Sequence, residues 1–153
     1  MSLYKFSLEK VLEWRIDNEK RVAKRFATIR TELEYQKTTL NNLRLEEESI
    51  KKKILQSATI NELKHQHILK GLIQEKIQQQ EDLIARTEAK LEEVRKELLE
   101  AQKDRKIMEK LKEKDYREYV EKLMYEEQKQ LDEIAVLRSF DNGQAIPADN
   151  YTG

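Results

Sequence analysis

KILQSATI, from Lys53 to Ile60, is the stretch that decides the fold, because on both sides of it the sequence is nearly unbroken helix-forming pattern. If it is a turn, the chain is a hairpin; if it is a ripple, the chain is one long rod. Thr59-Ile60-Asn61-Glu62 fits a capping box, in which the Thr hydroxyl accepts from an orphan amide of the first turn and the Glu carboxylate reaches back to the Thr amide. The stretch therefore reads as a turn near 56–60, with a new helix starting near Ile60.

Working back toward the N-terminus, Ser7 is a candidate N-cap for a first helix over about 7–57. A heptad fits this helix, with Leu12, Glu19, Phe26, Leu33, Leu40, Glu47 and Ile54 at a, and Leu8, Arg15, Val22, Ile29, Gln36, Leu43, Ile50 and Ser57 at d. The polar exceptions Arg15, Glu19, Gln36, Glu47 and Ser57 are spread along the seam, as register markers or partner contacts would be. At 1.5 Å per residue such a helix is on the order of 75 Å long.

Working forward, Leu63, Ile68, Leu69, Leu72, Ile73 and Ile77 form a wide apolar stripe around Gly71, which reads as a packing notch or slight bend. A second seam follows through Ile84, Leu91, Val94, Leu98, Ala101 and Met108. It then slips by one residue to Tyr116, Val120, Leu123, Glu127, Gln130, Ile134 and Leu137, a change that alters local supercoiling. Asp141-Asn142-Gly143 and Pro147 predict a helix end near Phe140 and a flexible tail over 142–153. The fold class is all-α: an elongated antiparallel two-helix coiled-coil hairpin, residues 1–141, whose second helix, about 60–140, is the longer. Reversal near Thr59 sets Leu8 opposite a residue near Lys110 and leaves roughly 30 residues of the second helix uncovered, with an exposed apolar stripe that marks an interaction surface. Reversal near Gly71 is the alternative, and it shortens that overhang.

Composition supports the elongated reading. Of 153 residues 39% are charged, 30 basic and 30 acidic, with three glycines, one proline and no cysteine. So few glycines and prolines leave little material for the turns of a many-element globule. The mixed charges suit solvated helix faces, and the absent cysteines rule out disulfides. Zero net charge gives no global pull toward nucleic acid, although Lys5 to Arg30 is locally basic. No apolar run is long enough to cross a membrane and the N-terminus lacks a signal-peptide core, so a cytoplasmic location is expected.

Catalytic chemistry is not expected. His65 and His67 are two residues apart and point to different helix faces, so no metal site is assigned, and no cofactor either. Glycine-rich phosphate loops and activated nucleophiles are missing from the sequence. The carboxylate runs Glu46-Glu47-Glu48 and Glu92-Glu93 read as solvated surface. Lys51-Lys52-Lys53 suits the negative end of the first helix dipole, with membrane contact as a minor alternative. Trp14 lies outside the seam, either packed on the second helix or serving as a partner anchor.

Three stretches carry a family resemblance. YKFSLEKVLEWRIDNEKRVAKRFA, ELKHQHILKGLIQEKIQQQ, and DRKIMEKLKEK with EEQKQLDEIA resemble, in order and spacing, segments of the bacterial flagellar export protein FliJ family, over roughly Tyr4 to Leu137. The resemblance implies a non-catalytic coiled-coil stalk, similar to the γ subunit of rotary ATPases, which contacts the hexameric export ATPase FliI, the cytoplasmic domain of the export gate FlhA, and export chaperones. It implies a monomer located at the inner-membrane export apparatus without inserting into the membrane. The implied gate-binding residues are Leu69, Ile73, Lys76 and Gln80. Those implied at the ATPase are Tyr116, Val120, Leu123, Gln128, Leu131, Asp132 and Glu133. A virulence-injectisome stalk and a generic homodimeric scaffold are the alternatives.

Overall fold

A computed structural model describes residues 3–145, and the side chains of 143–145 are left out of the description. Two helices make up the fold, α1 (Glu9–Leu55) and the longer α2 (Ile60–Ala145), and no strand occurs among the described residues. They pack against each other as a helical hairpin with the reversal at Gln56 to Thr59, so the alternative near Gly71 falls away. Gly71 is helical, and a Cβ there would meet nothing within 4 Å. It is not a packing notch.

The turn is closed by polar groups without any left-handed residue. The Gln56 amide donates to the Lys52 and Lys53 carbonyls, each at 3.2 Å, and the Ser57 hydroxyl donates to the Lys53 carbonyl at 2.9 Å. Orphan carbonyls at the end of α1 are thereby satisfied. On the other side the Glu62 amide donates to Thr59 Oγ1 at 3.2 Å, as the capping box requires. The return bond differs: Glu62 accepts from the Ala58 amide at 3.1 Å, one residue further back. Among the described residues that carboxylate is the Ala58 amide's only acceptor, so the bond satisfies a donor that the tight turn leaves orphaned.

The described residues divide into two compact units, 14–105 and 3–13 with 106–145. In the turn-side unit the first-helix heptad is realised: Val22, Ile29, Leu33 and Ile50 are buried, and the remaining a and d positions are at least half covered. Val94, at 2% exposure, centres a cluster with Val22, Ile29, Phe26, Leu91 and Leu98. The polar exceptions are spent inside the fold and are not left over for partners. Arg15 pairs with Asp104 at 3.1 Å, Glu19 with Arg105, and Glu47 with Lys51 at 3.2 Å. Gln80 Nε2 donates to the Gln36 carbonyl at 2.9 Å, while the buried Gln36 Oε1 has no partner.

In the terminal unit α1 begins at Glu9, so Leu8 stands at the N-cap position expected for Ser7. The reason is a preceding turn, closed by the Glu9 amide donating to the Phe6 carbonyl at 3.1 Å, which buries Phe6. The expected slip does not follow directly on Met108; it comes beyond Tyr119, where Val120 and Leu123 are half-buried and Lys122, next in the earlier register, is exposed. Lys112, Asp115 and Tyr119 continue the same register because their polar groups are matched: Lys112 meets Glu9 at 2.8 Å, and Asp115 accepts from the Tyr4 hydroxyl at 3.0 Å. Glu9, next to Leu8, thus meets Lys112, two residues from the expected Lys110. At the far end α2 runs through Asp141 and Gly143 to Ala145 without a left-handed cap. Most of the expected flexible tail, 146–153, lies outside the described residues.

Candidate functional site: the uncovered end of the second helix

From Met124 to Asn142 every residue of α2 is exposed. The N-terminal segment covers α2 only as far as an aromatic clasp, in which the Tyr4 ring stands 5.1 Å from Tyr116, edge to face, and 5.2 Å from Tyr119. Such edge contacts match the positive rim of one ring to the negative face of another. Partial desolvation, then the bond to Asp115 and nearby negative charge, hold the Tyr4 hydroxyl above its ordinary value of 10.0. Beside the clasp an open groove of about 690 Å³ is lined by Tyr4, Asp115, Tyr119 and Tyr125 among others.

Beyond the clasp, Leu131, Ile134, Leu137 and Phe140 are 60%, 47%, 64% and 63% exposed. An isolated helix of this length gains little from propensity alone, and packing of an apolar face is what normally holds such a helix. The sequence-derived residues fall on both sides of the clasp. Tyr116 packs on Tyr4, Val120 and Leu123 are half-buried, and Gln128, Leu131, Asp132 and Glu133 are exposed, with Gln128 Nε2 donating to Asp132 Oδ1 at 3.0 Å.

The mid-chain set sits differently. Ile73 is 3% exposed and packs in the seam; Leu69 is half-buried, and Gln80 is held by its bond to Gln36. Lys76 is exposed and borders a groove of about 240 Å³ together with Leu69 and Leu72. Ile68 and Leu72, 65% and 52% exposed, present the apolar surface of this segment; both belong to the apolar stripe read from the sequence, though not to the set implied at the gate. Trp14 is 58% exposed, so it does not pack on α2 as a core residue would; the Arg15 guanidinium stands 5.1 Å from its ring centroid. His65 and His67 are exposed, and no cluster of metal-ligating side chains occurs among the described residues. None of the described helices is long and apolar enough to cross a membrane.

The sequence model of the flagellar FliJ protein family matches residues 4–144. No curated protein and no solved structure matches the chain.

Proposed function

The chain belongs to the flagellar FliJ protein family, and from that premise we propose that it is the non-catalytic stalk of a flagellar export ATPase. The observation that carries this reading is the apolar stripe of α2 past Tyr125, which α1 leaves uncovered. A helix end of this kind gains its burial from a surrounding protein surface, as the hexameric ATPase FliI would supply. Tyr116, Val120, Leu123, Gln128, Leu131, Asp132 and Glu133 form the ATPase contact. The clasp residue Tyr116 sets the base of that contact, and the exposed residues after it enter the ring.

A second contact couples the ring to the cytoplasmic domain of FlhA. Because Ile73 is buried, this contact is made by the edge that Leu69 and Lys76 share with Ile68 and Leu72; Gln80 and Ile73 hold that edge in place from the seam. Export chaperones dock on the same cytoplasmic stalk, and Trp14 is an anchor for one of these partners. Intramolecular pairing of the seam supports a monomer. The test is titration of the chain into its cognate ATPase. Ring assembly and ATP hydrolysis rise with the intact chain and stay at basal level with Ile134→Ser and Leu137→Ser together. An intact chain that changes neither quantity defeats the reading.

A further inference from the structure

The turn end of the hairpin combines exposed apolar side chains with concentrated positive charge. From Lys51 to Leu72, Lys51, Lys52, Lys53, Lys64 and Lys70 stand against Glu62 alone, a formal +4 in a chain of zero net charge. Glu62 is engaged by the Ala58 amide. Lys51 faces back along α1, paired with Glu47 at 3.2 Å and Glu48 at 3.8 Å. Lys52, Lys53, Lys64 and Lys70 have no carboxylate partner among the described residues. Flanking the turn, Leu55 is 87% and Ile60 is 71% exposed.

We propose that this apex is a docking surface for an anionic lipid bilayer, with Leu55 and Ile60 entering the interface and the lysines around them meeting headgroup phosphates and carboxylates. Two observations choose a bilayer over an acidic protein segment. The apolar residues sit at the apex of a reversal, where they gain burial from a surface that yields around them, whereas a peptide needs a groove. A groove on the flank is lined by Ile50, Lys53, Leu69 and Ile73, with Glu46 also at its wall, and neither Leu55 nor Ile60 borders it. Exposed basic residues interleaved with aliphatic ones are the composition that binds the headgroup boundary of charged membranes. The mode is peripheral, since no described helix can span a bilayer. It goes beyond the stalk reading and requires neither ATPase nor gate.

The test is flotation of the full chain with vesicles of phosphatidylcholine alone and of phosphatidylcholine mixed with phosphatidylserine. The chain is expected to float only with the mixed vesicles and to be released by salt. Neutralising Lys52 or Lys53 to Gln should weaken binding about fivefold each. Leu55→Ser with Ile60→Ser should weaken it further with helicity unchanged, because both side chains are exposed. Failure of the intact chain to float with phosphatidylserine vesicles overturns the proposal. So does unaltered flotation of the double Ser variant, or polyglutamate binding that the double Ser variant retains in full, which assigns the charge to an acidic protein segment. Each of these outcomes is read without the ATPase, so it leaves the stalk reading untouched.

Discussion

Gly71 occupies a helix interior with open space where a side chain would be. Gly71→Ala should therefore raise stability by about 0.5–1 kcal/mol, through lower unfolded-state entropy and better helix propensity, read as a higher urea midpoint at unchanged slope. A fall would mean the site is crowded after all. Gln36 is the opposite case, 5% exposed in the seam with an unpartnered Oε1. Gln36→Leu removes that orphan while keeping the bond that Gln80 makes to the backbone, so a gain of roughly 1 kcal/mol is expected in thermal or urea unfolding. Such a polar seam residue costs stability while it restricts the registers two helices can adopt. The heptad made Gln36 legible as a seam residue. Its missing partner depends on where the Gln80 side chain goes, which no spacing rule reveals.

At the scale of elements, the reversal was legible because Thr59 and Glu62 carry a local chemical signature. The continuation of the seam through Lys112 and Asp115 was not, since two polar residues at seam positions look like an end of register until Glu9 and Tyr4 are seen to match them. The same limit hid the fate of the mid-chain face: Leu69, Ile73, Lys76 and Gln80 share one helix side, and only the packing of α1 shows that this side is largely inside. Tyr4 gives the terminal clasp a pH dependence. Its proton is held more tightly folded than unfolded, so the stabilisation it contributes is complete below about pH 10 and is lost as pH rises through the raised folded value. Urea midpoints measured between about pH 9 and 11 should fall for the intact chain and fall less for Tyr4→Phe.

For the whole molecule, burial and function are expected to separate along α2. Residues after Tyr125 bury nothing against α1, so truncation there should leave the unfolding midpoint within a few tenths of a kcal/mol while lowering helix content by circular dichroism. The same truncation should abolish stimulation of the ATPase. A large loss of stability instead would show that the distal segment supports the hairpin. Two helices and their inequality could be read from heptads and caps, because a hairpin's core is written as one periodic stripe on each arm. A partner for either end could not be read this way, because exposed apolar residues carry no record of the chemistry that would meet them.

The reversal at Gln56 to Thr59 also sets an order of events in time. Cross-helix contacts span more chain the further they lie from it: Arg44 to Glu81 closes 37 residues, Arg25 to Glu97 closes 72, Arg15 to Asp104 closes 89, and Tyr4 to Asp115 closes 111. Each closed rung shortens the loop that the next must close, so the entropy of closure is lowest when pairing starts at the turn and proceeds outward like a zipper. Thr59→Ala should therefore slow refolding, with most of its roughly 1 kcal/mol appearing in the folding rate, whereas Tyr4→Phe should leave refolding alone and hasten unfolding in stopped-flow experiments. A chain built this way opens from its termini first, and the end that closes last is also the one with the aromatic clasp.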